Sequence, residues 1–463
     1  MIADMPAPRR DRILLWIVAV ALFMQLLDST VLNTALPGMA RELGISAVRM
    51  HAAIIAYMLT TALIIPASGW LADRFGARNT FCSAICLFTA GSLFCALSPS
   101  LETLVISRVI QGMGGAIMVP VGRLAILKAY PRKELVRVLS FVTIPGLIGP
   151  LAGPAVGGFL VEYASWHWIF LINLPVGLVG ALLAFRCMPE FKERVIGSFD
   201  SKGFAFFSAS LVLLTLAVEG LGELRLPLLI SSLSGIAGIS LMAMYWLRGA
   251  RVPLPLFSPS LFHTRSFAVG ILGNTVSRLG SGAMPFLTPL FLQLVLGYSP
   301  FAAGMTMIPT ALAGIAGKQM IAALLRRVGF RCFLTINTLL LGGLMAAFSL
   351  VGKETPYAAL LLLLGLFGTV NSMQFTAMNA ITLIELEDRH ASGGNTLLSV
   401  TMQLSSCGGV AIAAALLDTF TLAYSPLPPE ERLTRIFHSA FLWIGLINLI
   451  TAVIFSKAPA RVK

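Results

Sequence analysis

The sequence predicts an all-α protein that crosses a lipid bilayer many times. Composition is the first observation: hydrophobic residues make up 57% and charged residues 11% of the 463 positions, whereas a soluble domain has about 25% charged residues. The mean hydropathy is +0.88. The second observation is a series of long apolar stretches, and the third is the placement of positive charge between them. A helix needs about 20 apolar residues to cross the hydrocarbon core.

Fourteen apolar stretches have that length. The uncharged run from 279 to 317 is too long for one crossing, and the turn-forming residues 297–300 are expected to divide it into two helices. The predicted spans lie near 13–36, 50–71, 79–97, 101–123, 138–161, 165–187, 203–220, 226–247, 267–296, 300–323, 332–352, 356–384, 391–417 and 436–456.

Positive charge predicts the orientation of these spans. Of the 33 Lys and Arg residues, 24 lie in alternate gaps on the side of both termini, six lie on the other side and three lie inside spans. Basic residues concentrate in cytoplasmic loops, so both termini are expected in the cytoplasm. The net charge of +13 is therefore interpreted as a topology signal and not as a nucleic-acid surface.

The first stretch follows a cluster of arginines, as a secretory signal does. It is nevertheless predicted to be a permanent span, because the apolar run is long, carries Asp28 and ends without a small-residue cleavage site.

Nothing in the sequence predicts an enzyme, a bound cofactor or a metal site. The six cysteines form no C-x-x-C pair, and the five histidines show no metal-ligand spacing. Residues 314–319 faintly resemble a phosphate-binding loop, but Leu312 replaces the first glycine and no Ser or Thr follows Lys318. The gaps are too short for a soluble domain, so the function is expected to lie within the membrane.

An internal repeat predicts two related halves. Residues 74–78 and 327–331 both read R-x-G-x-R, in tight turns on the predicted cytoplasmic side. Spans 1–6 and 9–14 then form two six-helix bundles, and spans 7 and 8 are an inserted central pair. The predicted divisions are 1–190, 191–265 and 266–463.

Five motifs give the chain a specific resemblance. They lie at residues 27–37, 69–78, 108–112, 145–158 and 165–177. Together they resemble the fourteen-span drug:proton antiporters of the major facilitator superfamily, and the similarity covers nearly the whole chain. The resemblance implies the major facilitator fold, with a substrate site between two six-helix bundles.

The resemblance also implies a function. It is proton-coupled efflux of small molecules by alternating access, driven by the proton gradient without a cofactor. The implied location is the bacterial inner membrane, with the lipid bilayer and a small-molecule substrate as partners and a monomer as the assembly.

Charges inside the spans are the sharpest candidates for function. An ionised residue at the bilayer centre costs about 2.5–3.5 kcal/mol, so such residues usually face one another or a water-filled cavity. Asp28 is the expected proton carrier and Arg108 the residue that modulates it; the alternative is a static ion pair. Arg278 lies near the middle of its span. Lys318 lies near the end of its span, where a long side chain can reach the interface.

Polar residues cluster on the first and fourth helix of each half, which line the cavity in this family. The predicted cavity residues are Gln25, Asn33, Gln111, Asn274, Arg278, Asn371, Gln374 and Asn379. The basic residues outnumber Asp28, which leaves open a second possibility: export of organic anions such as citrate or its metal complexes.

Two further motifs have roles that the resemblance implies. Asp73, Arg74 and Arg78 are expected to form a latch at the cytoplasmic gate, and Asp73 is expected to have a partner. Gly149, Gly153 and Gly157 recur every four residues and share one helix face, which allows close helix packing. With Pro145, Pro150 and Pro154 they form the antiporter motif, read as a bendable seam between the halves; plain tight packing is the alternative.

Overall fold

The structure, a computed structural model, describes residues 9–130, 134–191, 199–221, 227–253, 255–386 and 388–458, and every regular element within these ranges is a helix. Eleven helices of the described chain are long and apolar enough to cross a membrane. The prediction of an all-α membrane protein is therefore confirmed. Seven basic residues that contribute to the predicted charge split lie outside the described ranges: Arg132, Lys133, Lys192, Arg194, Arg225, Arg461 and Lys463.

The α-helices are numbered in chain order. They are α1 (Arg9–Glu42), α2 (His51–Phe75), α3 (Ala77–Ala96), α4 (Leu101–Ala129), α5 (Leu135–Tyr163), α6 (Trp168–Leu171), α7 (Asn173–Cys187), α8 (Ser201–Leu221), α9 (Leu228–Gly249), α10 (Arg265–Ser281), α11 (Met284–Leu294), α12 (Pro300–Thr306), α13 (Ile308–Val328), α14 (Phe330–Ala347), α15 (Tyr357–Leu383), α16 (Asp388–Ala423) and α17 (Pro429–Phe455).

The chain folds into two compact units. The first contains the described parts of 1–45, 52–198 and 299–305. In it, α1 packs along α5, α3 packs along α4, and α7 packs against α3. Phe81, Phe88 and Met118 are fully buried in its core. These helices bring the first and fourth predicted spans into one bundle.

The second unit contains the described parts of 46–51, 199–298 and 306–463. Here α13 packs along α15, α14 along α17, and α10 against both α16 and α17. Helices α8 and α9, the predicted inserted pair, pack along each other. A smaller core forms around Leu334, Ala377 and Phe455.

The break predicted at 297–300 is confirmed, because α11 ends at Leu294 and α12 begins at Pro300. The single span predicted over 267–296 is instead two helices, α10 and α11, which separate at Gly282. Pro285 cannot donate a backbone hydrogen bond to the preceding turn, and the Gly282 N–H returns to the Arg278 carbonyl at 2.8 Å. Helix α16 packs closely against the Arg278 and Leu279 carbonyls at this break through Gly409.

Candidate functional site

Asp28 and Arg108 form a buried ion pair between α1 and α4. An Nη atom of Arg108 lies 2.6 Å from one carboxylate oxygen of Asp28. Arg108 is only 1% exposed and Asp28 only 2%. Each charge alone would be costly to bury, and close pairing offsets much of that cost. The two residues predicted from the sequence to couple transport to protons are therefore in direct contact.

The second carboxylate oxygen of Asp28 accepts hydrogen bonds from two amides. Gln111 Nε2 donates at 2.8 Å and Asn173 Nδ2 at 3.2 Å. The Ser92 hydroxyl accepts from both amides, at 3.3 Å and 3.0 Å. Donors on α4 and α7, with Ser92 of α3 behind them, thus surround a carboxylate carried by α1.

Arg108 is held from several other directions. Its Nε donates to the Ala53 carbonyl at 3.3 Å, and an Nη donates to Gln111 Oε1 at 2.6 Å. The Tyr57 ring faces the guanidinium, and its centroid lies 4.2 Å from Arg108 Cζ. This distance is typical of a cation–π interaction. These contacts place the side chain so that it faces Asp28.

The charge balance of this site depends on the ionised state of Asp28. A proton on Asp28 would remove the negative charge that faces Arg108 and leave a buried cation among neutral groups. An uncompensated buried charge costs several kcal/mol. That cost would fall if the helices separated and water reached Arg108.

Arg278 of the second unit lacks this compensation. It is 7% exposed, and its Nε donates to Asn274 Oδ1 at 3.4 Å. The Phe375 ring centroid lies 3.9 Å from its Cζ. Its Nη2 has no hydrogen-bond partner within the described part of the chain. The predicted cavity residues Asn274 and Arg278 are therefore in contact, and Arg278 keeps one buried, unpartnered guanidinium nitrogen among the described residues.

Gln374 lies in a second buried polar cluster. It donates to the Thr338 hydroxyl at 2.7 Å and accepts from Asn337 at 2.8 Å. Asn448 donates to the Thr338 carbonyl at 3.3 Å and accepts from Ser277 at 3.2 Å. These residues lie on the first, third, fourth and sixth helices of the second half, as Asp28 and its neighbours do in the first half.

For the remaining predicted cavity residues, the structure shows burial but fewer side-chain hydrogen bonds among the described residues. Gln25 and Asn379 are half-buried, and the side-chain carbonyl oxygen of each has no hydrogen-bond partner among the described residues. Asn33 is buried and Asn371 is half-buried. Lys318 is exposed on α13.

The three predicted gate residues contact three different neighbours. Asp73 has its expected partner, Lys128 of α4, with 3.7 Å between the charged atoms. Arg78 pairs with Glu190 at 3.4 Å. Arg74 lies over the Trp70 ring, 5.2 Å from its centroid. Asp73 thus connects α2 to α4, and Arg78 connects the start of α3 to the chain after α7, whereas Arg74 contacts its own helix.

The glycine face of α5 packs on α1 within the first unit. A Cβ atom at Gly153 or Gly157 would overlap with Thr30 or with Val31 and Thr34 of α1, and one at Gly149 would crowd Leu27. The neighbouring prolines, Pro145, Pro150 and Pro154, lie inside the same helix. Thr34 donates to the Pro154 carbonyl at 3.2 Å. The motif therefore brings two backbones into close contact.

Some site residues had not been singled out from the sequence. Asn173 lies inside the motif at 165–177, but nothing local indicated that its amide reaches Asp28. Tyr57, Ser92 and Phe375 are common residue types in apolar spans, so only their contacts identify them.

Comparison with known proteins agrees with the predicted family. The sequence profile described as the Major Facilitator Superfamily matches residues 18–410. The chain is 48% identical over 457 residues to the multidrug resistance protein MdtD of Pectobacterium atrosepticum, covering 98% of this chain and 97% of that protein. It is 46% identical over 453 residues to the protein of the same name from Salmonella heidelberg, covering 98% and 96%.

Solved structures show the same fold at low sequence identity. An auto-inhibited peptide transporter of the POT family superposes with a TM-score of 0.73 at 14% identity, covering 98% of both chains. The nucleoside transporter NupG superposes with a TM-score of 0.67 at 14% identity, covering 96% of this chain and 98% of that one. The similar proteins are transporters and not enzymes, as the sequence predicted.

Proposed function

We propose that this chain, which belongs to the Major Facilitator Superfamily, exports small molecules from the cytoplasm in exchange for protons. The observation that carries the proposal is the buried pair of Asp28 and Arg108, 2.6 Å apart with almost no exposure. Relatives named for multidrug resistance support export as the direction of transport.

Proton uptake is coupled to transport because a proton competes with Arg108 for the carboxylate of Asp28. In the conformation described here Arg108, Gln111 and Asn173 occupy the carboxylate. In an alternating-access cycle, the rearrangement that opens the site to water exposes Asp28 to protons from outside. Neutralised Asp28 releases Arg108 and favours the opposite conformation. The proton leaves on the cytoplasmic side, and the cargo moves outward.

The proposal includes a topology of fourteen spans with both termini in the cytoplasm. Helices α5, α8 and the broken pair α10–α11 add three spans to the eleven that meet the length and hydropathy criteria within the described residues. Bundles at 1–190 and 266–463 flank the insert at 191–265. The protein acts as a monomer in a bacterial inner membrane and needs only the proton gradient, and the pairs made by Asp73 and Arg78 serve as the cytoplasmic latch.

The test begins by identifying a cargo from a panel of drugs and metabolites that accumulates less in cells producing the protein. Purified protein in liposomes then transports that cargo with and without a pH gradient. Asp28→Asn is expected to abolish gradient-driven transport, because the amide cannot carry a proton. Asp200→Asn is the matched control, since Asp200 pairs with Arg248 on the inserted helices. Undiminished gradient-driven transport by Asp28→Asn would exclude this coupling site.

A second candidate function is export of organic anions, citrate and its metal complexes included. Arg278 favours it, because the unpartnered Nη2 of a buried guanidinium can donate a charge-assisted hydrogen bond to a carboxylate. Arg278→Gln is expected to abolish export of acidic compounds and to spare lipophilic cations, whereas Lys318→Gln, on the exposed face of α13, is expected to change neither. Export of lipophilic cations alone, unchanged in Arg278→Gln, would rule this candidate out.

A further inference from the structure

Helices α1, α3 and α7 enclose an apolar groove of about 580 Å³ in the first unit. Its floor includes Ile17, Met24 and Ile85, which are at most 4% exposed, whereas Trp16 and Val179 on its sides are 50% and 57% exposed. A groove with a buried apolar floor and open apolar sides, within membrane-spanning helices, is suited to an apolar chain.

The groove has the depth of one lipid leaflet. On α1 its lining extends from Ile13 to Met24, which at 1.5 Å per residue is about 16 Å. The hydrocarbon core is about 30 Å thick. The groove therefore begins in the first turns of α1 and ends near the middle of the bilayer, as the acyl chain of a phospholipid does.

A described basic residue, Arg186, lies toward the shallow end of the groove. Arg186, in the last turn of α7, is exposed and follows the lining residue Leu183 by three positions. Basic residues beside the membrane surface attract anionic lipid headgroups.

We propose that this groove binds one acyl chain of an anionic phospholipid, with the headgroup phosphate beside Arg186. The chain lies along Trp16 and Met24. Since Met24 precedes Asp28 by one helical turn, the bound lipid supports the segment of α1 that carries the buried carboxylate. The proposal does not depend on the transported compound.

Trp16 provides a direct readout. Wild-type protein and Trp16→Phe are reconstituted with increasing fractions of phosphatidylglycerol or phosphatidylcholine brominated in the acyl chains, which quench tryptophan on contact. The difference between the two proteins isolates the emission of Trp16. Half-quenching is expected at a roughly fivefold lower fraction of the anionic lipid, because one arginine, Arg186, contacts the headgroup. Equal quenching by the two lipids would overturn the proposal.

Two variants separate the chain site from the headgroup site. A Cβ at Gly180, which lines the groove, meets no atom within 4 Å, so Gly180→Leu is expected to fold and to occupy the groove. Gly343→Leu is the matched control, because a Cβ there also meets open space, on α14. Gly180→Leu should abolish quenching of Trp16, and Arg186→Gln should remove only the preference for phosphatidylglycerol, by about fivefold.

Two results of the same experiment would contradict the proposal. Quenching that persists in Gly180→Leu would show that the lipid contacts Trp16 from the bulk membrane. Protection of Trp16 from both brominated lipids in the wild type would show that something other than a phospholipid fills the groove. Either result would refute the proposal.

Discussion

Gly76 and Gly329 have nearly the same backbone conformation, with φ 89° and ψ 144° at the first and φ 78° and ψ 160° at the second. Each is the single residue between two helices, α2 and α3 or α13 and α14. A positive φ with an extended ψ is open almost only to glycine. The repeat of R-x-G-x-R in the sequence is thus also a repeat of backbone geometry.

Replacing either glycine is expected to destabilise the fold. Gly329→Ala should lower the free energy of unfolding by about 1–3 kcal/mol, the cost of forcing a Cβ into this conformation. Gly76→Ala should cost about as much, because the Glu190 carboxylate is the end of a flexible side chain and can move away from the new methyl group. Thermal unfolding in detergent measures both. Gly343→Ala, inside a helix with open space around it, should be neutral or stabilising; equal melting temperatures for all three would contradict the assignment.

The contribution of Asp28 and Arg108 to stability is expected to be strongly non-additive. Asp28→Asn leaves Arg108 without its counter-charge, and Arg108→Gln leaves Asp28 without its own. Removal of one partner of a buried pair typically costs about 3–5 kcal/mol. The double variant should therefore be more stable than the sum of the two single losses implies. A double-mutant cycle on detergent-solubilised protein measures this, and additive losses would show that the pair is not coupled.

Gly153→Leu is expected to separate α1 from α5. The leucine would overlap with Thr30, whose hydroxyl hydrogen-bonds within its own helix at the Leu26 and Leu27 carbonyls. Overpacking of this kind costs about 1–3 kcal/mol, and export should fall with it. Melting temperature and export are measured together, with Gly343→Leu as the control. Normal export by a well-expressed Gly153→Leu protein would show that the close approach is dispensable.

Glu162 is expected to make stability depend on pH. It lies in the last turn of α5, beyond the proposed span 138–161. Hydrogen bonds from the Ser299 hydroxyl and the Phe301 N–H, the latter 2.9 Å long, lower the pKa of Glu162 below its ordinary 4.5. A lowered pKa stabilises the fold above the ordinary value, and this stabilisation is lost as pH falls through the lowered pKa.

Glu162→Gln should therefore melt below the wild type at neutral pH, and the difference should close in acid. Melting curves recorded across the acid range test this. Glu354→Gln, another exposed glutamate, is expected to leave the curve unchanged. A constant difference between Glu162→Gln and the wild type at every pH would assign the effect to packing.

Residue chemistry was enough to predict an all-α membrane protein and the contact between Asp28 and Arg108, whereas the major facilitator fold was predicted from the family resemblance. Long apolar stretches determine where helices lie in a bilayer, and the cost of a lone buried charge implied that Asp28 had a partner. The break at Gly282 was missed, because it depends on the approach of α16 through Gly409 as well as on the local Gly and Pro.

Side-chain contacts that depend on the rotation of a helix about its axis could not be predicted from the sequence either. Gln374 was predicted to line the cavity, yet its amide turns toward Asn337 and Thr338, and its neighbour Phe375 is the residue that contacts Arg278. Polar periodicity identifies the helix, but one residue of rotation decides which side chain faces the charge. Long-range contacts such as that between Asn173 and Asp28 leave no local signal.

The matching placement of the two buried polar clusters has a consequence for how the halves diverged. Both draw on the first, third, fourth and sixth helix, but Ser277 stands on the helix that corresponds to the one bearing Asp28, and the second cluster is neutral throughout. An ancestral duplication would have supplied two equivalent polar cores. Only the first cluster contains a charged pair, and Arg278 of the second half lies in a separate environment beside Asn274 and Phe375.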